Sequence, residues 1–122
     1  MSDSNVNILI IDDEEAIVLL LTTIFGLYGY KSHSCTQPLN AVRMATEIQP
    51  DIIILDIAMP EKDGYEICHE LKDSALTRDI PVIMLTALAL YQDRKRGLES
   101  GADGVIFKPF DPHVVMTEIA RL

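Results

Sequence analysis

The chain has 122 residues, is 48% hydrophobic, and carries 10 Lys and Arg against 19 Asp and Glu. That length makes one domain with a real core and leaves no room for two, while the apolar content excludes a disordered chain. The net charge of -9 argues against nucleic acid or an anionic membrane as a direct partner.

Short apolar blocks alternate with segments of helical period, the βαβ signature of a parallel sheet. Met1 to Asn7 is a polar leader without a signal-peptide core. Val6 to Ile11 reads as the first strand. A helix from about Glu14 sets Ile17, Leu20, Leu21, Ile24 and Tyr28 on one face and stops at Gly29. Within it, Ala16 to Leu21 is the longest uninterrupted apolar run, far too short to span a bilayer. Lys31 to Cys35 is a short polar strand suited to a sheet edge. Pro38 opens a second helix whose inner stripe is Ala41, Val42, Ala45 and Ile48, and Pro50 closes it.

Ile52 to Leu55 is apolar enough for a central strand. A third helix runs from about Gly64 to Asp73 with Ile67 and Leu71 inward. Pro81 opens a fourth strand, Val82 to Leu85. A fourth helix spans about Leu90 to Ser100 and stops at Gly101. Val105 to Phe107 is the fifth strand, and Pro112 opens a last helix carrying Val115, Ile119 and Leu122. With right-handed crossovers these elements predict an α/β fold, a doubly wound five-stranded parallel sheet with five helices. No internal repeat, linker or low-complexity stretch interrupts the single domain, residues 1–122. Cys35 and Cys68 match no metal or redox spacing and read as reduced buried thiols in a soluble cytoplasmic protein. His33, His69 and His113 show no ligand spacing.

Four of the apolar blocks end on a reactive polar group: Asp12 and Asp13, then Asp56, Thr86 and Lys108. In an open α/β sheet the carboxyl-end edge is where ligands bind. Each residue alone has an ordinary reading: a helix cap for Asp12, Asp13 or Thr86, a surface turn for Lys108-Pro109. Asp56 is harder to dismiss, because a lone carboxylate closing an apolar strand is expensive. Together the five make a site for a divalent cation and a phosphoryl group. A carboxylate and a phosphoryl dianion repel, and a bound cation cancels that repulsion. Such clustered acids are expected to raise one another's pKa.

The pattern resembles the receiver domain of bacterial two-component response regulators, from Asn7 to Leu122. The resemblance implies a flavodoxin-like strand order 2-1-3-4-5. It implies that Asp56 is phosphorylated and that Asp12, Asp13, Asp56 and the Ala58 carbonyl hold magnesium, with manganese as the alternative ion. Thr86, with Ala87 beside it, becomes the switch hydroxyl position, and Lys108 the phosphate-binding lysine before a cis bond to Pro109. The donor is then a histidine kinase or a histidine phosphotransfer protein, docking along the first helix over Ile17, Val18, Leu19 and Leu20. Val18 and Leu19 are expected to face away from the sheet. The output is a changed surface of helix four, strand five and helix five, read by a downstream protein or a fused output domain. The chain then catalyses only its own phosphorylation and dephosphorylation. A phosphorylation-dependent homodimer stays open, with Arg94, Lys95 and Arg96 facing Asp103 or Asp111 of a second copy. So does the choice between a stand-alone regulator and a piece of a longer protein.

The chain departs from the family pattern in two places. Val105 stands where receivers carry a switch aromatic, and Phe107, two residues on, shares its strand face. Ala58 and Leu88 stand where polar side chains would guide hydrolytic water, so slow loss of the phosphoryl group is expected. The chief rival, a haloacid-dehalogenase-type phosphatase, needs an acid two residues after its nucleophile, where this chain has Ala58. A degenerate receiver that binds partners without phosphorylation is disfavoured by the intact polar set, and nucleotide binding by the lack of a Gly-rich phosphate loop.

Overall fold

The computed structural model describes residues 6–87 and 91–122, the side chains of 91–94 excepted. The aliphatic blocks form β1 (Asn7–Ile11), β3 (Ile52–Asp56), β4 (Val82–Thr86) and β5 (Gly104–Phe107), and the polar Lys31–Cys35 forms β2. All pairings are parallel, in the order β2-β1-β3-β4-β5. This is the flavodoxin-like arrangement the resemblance implied, with the polar strand at an edge.

Alternation along each strand divides the core in two. Leu9, Ile11, Ile53, Leu55, Val82, Met84 and Val105 pack with α2 (Ala41–Ile48) and α3 (Gly64–Lys72). Residues one step out of phase, such as Ile8, Ile10, Ile54, Ile83 and Leu85, pack with α1 (Glu15–Leu27) and α5 (Pro112–Ala120). The remaining helix, α4 (Tyr91–Glu99), lies on the first of these faces: a β-carbon at Gly97 would stand 3.2 Å from Met84 Sδ. Cys35 and Cys68 are buried and free. No helix among the described residues is long and apolar enough to cross a membrane.

Helix ends follow their local chemistry. Gly29 (φ 81) and Gly101 (φ 104) take the left-handed conformation that stops a helix. Asp63 and Asp111 cap α3 and α5, accepting the Glu66 and Val114 N–H groups at 2.9 Å each. Three expectations need correction. Pro38 opens a 3-10 turn over Pro38–Asn40, and the α-helix proper begins at Ala41. Leu122, expected on the last helix, lies past the end of α5 at Ala120.

The third correction concerns α1. Its buried stripe is Leu21, Ile24 and Phe25 with Ile17 and Val18 half-buried, while Leu20 and Tyr28 are exposed. Six consecutive apolar residues leave the helix free to turn either side inward. Phe25, fully buried and 6.4 Å ring to ring from Tyr30, draws Val18 and Leu21 under with it, at i-7 and i-4. Leu19 at 69% exposure and Leu20 at 44% therefore form the outward ridge, and Val18 does not.

Candidate functional site

Strand register sets the site. Ile11 pairs with Leu55, Asp56 with Leu85, and Thr86 with Phe107. Asp12, just past β1, therefore stands level with Asp56, and Thr86 and then Lys108 follow one residue further along at each step on the carboxyl edge. Backbone bonds extend the ladder there: Asp12 N–H donates to Cys35 O at 3.1 Å and Lys108 N–H to Thr86 O at 2.7 Å. Lys108-Pro109 is cis.

Asp12, Asp13 and Asp56 each place a carboxylate oxygen within 4.8 Å of the other two. Asp12 and Asp56 are buried and Asp13 is half-buried. Lys108 Nζ reaches Asp56 Oδ1 at 3.4 Å and Asp12 Oδ2 at 3.8 Å. Ala58 N–H donates to Asp56 Oδ1 at 3.3 Å, and Glu14 N–H to Asp12 Oδ1 at 2.9 Å. Thr86 is buried at the end of β4, while Ala87 and Ala58 are exposed. Leu88 lies outside the described residues.

Burial moves these groups. It pushes the Asp12 carboxyl up to about 7, with the Asp56 charge adding to the effect and the Glu14 N–H and Lys108 opposing it. Asp56 is also raised by burial, against the pull of Lys108. The acids were expected to raise one another by repulsion, yet loss of water outweighs it. Burial works to lower the Lys108 ammonium, but Asp56, Asp12 and Glu14 together hold it above its usual range.

The donor set fits a hard divalent cation. Asp12 Oδ2 and Asp56 Oδ2 are buried without a hydrogen-bond partner among the described residues. A buried carboxylate oxygen left so is costly, and magnesium takes just such oxygen ligands while keeping several waters.

Two contacts escaped the reading of the sequence. Glu14 Oε1 lies 3.5 Å from Lys108 Nζ; the acid run Asp12 to Glu15 was the available signal. A β-carbon at Gly64 would come within 2.7 Å of Ile57 Cα and still nearer to the Asp56 carbonyl oxygen. The Asp63-Gly64 turn hinted at that approach. Val105 is buried and Phe107 half-buried in the same core layer, as their shared strand face required. In the basic run, Arg96 stacks over Tyr65 at 4.0 Å and Lys95 lies 3.8 Å from Glu99. Asp103 is held by Lys72 at 3.2 Å and by the Val82 N–H at 2.8 Å. Lys95, Arg96 and Asp103 of the suggested contact between copies thus have partners within the chain, and the Arg94 side chain lies outside the described residues.

A five-stranded parallel sheet of this order, with three carboxylates and a lysine gathered at its carboxyl edge, defines the class of flavodoxin-like α/β domains with an acidic site at the strand ends. The response regulator receiver domain family matches residues 8–120, and the chain belongs to that family. Its membership places it in two-component signal transduction. It is 39% identical over 115 residues to the DNA-binding dual master transcriptional regulator RpaA of Synechocystis, covering 94% of this chain and 48% of RpaA. It is 41% identical over 115 residues to the response regulator PleD of Caulobacter vibrioides, covering 94% of this chain and 25% of PleD. The chain thus spans half or less of the length of these curated relatives. The receiver domain of a sensor histidine kinase from Pseudomonas aeruginosa, with a magnesium ion coordinated in its active site cleft, superposes with a TM-score of 0.86 at 29% identity over 94% of each chain.

Proposed function

We propose that this receiver domain accepts a phosphoryl group on Asp56, in a magnesium-dependent reaction, from the phosphohistidine of a kinase or phosphotransfer protein. The observation that carries the reading is the buried Asp56 carboxylate 3.4 Å from the Lys108 ammonium, beside the carboxylates of Asp12 and Asp13. An Asp56 carboxylate oxygen forms the new bond to phosphorus as the P–N bond breaks. The imidazole nitrogen leaves with the electron pair and then takes a proton. Lys108 lies against the phosphoryl oxygens as a fixed point charge, and the Thr86 hydroxyl donates to them from the end of β4. Asp12, Asp13, Asp56 and the Ala58 carbonyl would hold the cation, magnesium or alternatively manganese. When bound, it supplies the positive charge that offsets repulsion between carboxylate and phosphoryl group.

The acyl phosphate adds roughly one and a half to two negative charges at the sheet edge. Thr86 begins the segment leading into α4, so a shift of its hydroxyl toward those charges alters the face made by α4, β5 and α5. A downstream protein or an attached output domain reads that change. The domain turns over no separate substrate. A cytoplasmic setting fits the two buried free thiols, and the outward Leu19 and Leu20 of α1 fit a docking ridge for the kinase.

The test is direct. Incubation with acetyl phosphate and magnesium adds the mass of one phosphoryl group, and Asp56→Asn removes that addition. No gain in mass, or a gain that survives Asp56→Asn, overturns the reading and leaves a partner-binding domain that works without phosphorylation.

A further inference from the structure

Lys108 is held by three carboxylates, not two. Asp56 Oδ1 lies at 3.4 Å, Glu14 Oε1 at 3.5 Å and Asp12 Oδ2 at 3.8 Å. The first and last belong to buried side chains, whereas the Glu14 side chain is 60% exposed. The Glu14 backbone is nevertheless fixed. Its N–H donates to Asp12 Oδ1 at 2.9 Å, and its carbonyl accepts the N–H groups of Ile17 and Val18 at 3.1 Å each, starting α1. The carboxylate therefore hangs from a rigid point over the solvent side of the lysine.

We propose that Glu14 is a positioning residue that competes with the incoming phosphoryl group for Lys108 and so restrains phosphorylation of Asp56. This rests on the acyl-phosphate reading above. Three carboxylates surround the ammonium, Asp56 Oδ1 as its hydrogen-bond acceptor and Glu14 Oε1 and Asp12 Oδ2 as ion-pair partners. A phosphoryl oxygen that is to reach Lys108 competes with them for its charge. Displacing Asp12 or Asp56 uncovers a buried charge, which is costly. Displacing Glu14 returns an exposed carboxylate to water, which is cheap. Glu14 is therefore the group that yields. Until it does, its charge also repels anionic donors at the mouth of the site. Once the phosphoryl group is in place, its larger charge outcompetes a single carboxylate and Glu14 swings out.

The experiment compares wild type, Glu14→Gln and Glu15→Gln with acetyl phosphate under saturating magnesium, following acyl phosphate by mass. Asp56 gains the phosphoryl group as acetate leaves with the electron pair. Glu15 has the same charge on the same acid run and serves as the control for net charge. Glu14→Gln is expected to speed phosphorylation roughly two- to five-fold, the range of one partly exposed ion pair, with the gain shrinking at high salt. Glu15→Gln is expected to stay near wild type. In the absence of cation and donor, the Lys108 side-chain nitrogen resonance should move in Glu14→Gln and not in Glu15→Gln. Equal acceleration in both variants, no acceleration in Glu14→Gln, or an unmoved Lys108 resonance overturns the proposal. A wild type that gains no mass at all overturns the acyl-phosphate reading itself, an outcome separate from any difference between the variants.

Discussion

Asp12 sets the pH response of this site. Its carboxyl rises from an ordinary 3.8 to about 7, so the folded chain holds that proton more tightly than the unfolded chain does. The stabilisation is complete below the unfolded value and is lost as pH rises through the folded one. Asp56, also raised, acts in the same direction. We predict that chelated protein loses stability between pH 4 and pH 7, and that Asp12→Asn flattens much of the slope in urea unfolding. Magnesium should reverse the loss above pH 7, by about 2.7 kcal/mol at a hundredfold excess over its Kd, and do little at pH 5. An equally steep slope in Asp12→Asn would contradict burial as the cause. The same residue shows what the sequence could reveal. An acid pair at a strand end was readable as a cation site. That water loss outweighs repulsion was not, because desolvation depends on packing from every side.

Among the elements, α3 and α1 bear on the site in opposite ways. The start of α3 presses on β3 through Gly64, where a β-carbon would meet the backbone of Asp56 and Ile57. Backbone cannot rotate aside, so Gly64→Ala should cost about 1–3 kcal/mol and impair phosphorylation by moving Asp56. Gly26 in α1 has open space around it, and Gly26→Ala there should instead stabilise by roughly 0.5–1 kcal/mol. Urea unfolding of the two variants measures both, and equal effects would dismiss the close approach. On the outer side of α1, Leu19→Lys with Leu20→Lys should slow transfer from the cognate kinase and leave acetyl phosphate labelling unchanged. Equal slowing of both donors would rule out docking there. Val18, half-buried, is the wrong residue for that test. Its side was undecidable from an all-apolar run, and the fit of Phe25 against the sheet decided it.

At the scale of the whole molecule, the site exists because parallel strands in one register bring their carboxyl ends to one level. Asp12, Asp56, Thr86 and Lys108 were visible in the sequence as polar endings to apolar blocks, and alternation told which strand residues share a face. Strand order came from family resemblance, since periodicity carries no information about which strands are neighbours. What the sequence by itself determined was local: element types, the helix stops at Gly29 and Gly101, and the chemistry waiting at each strand end. Backbone propensity and hydrophobic period act over a few residues and can be read there. The tertiary structure alone decided which side of α1 turns inward, that Glu14 shares Lys108 with Asp56, and that Asp12 Oδ2 and Asp56 Oδ2 are buried without a hydrogen-bond partner among the described residues. Those outcomes depend on distances and on exclusion of water, and both arise only when segments far apart in the chain are packed together.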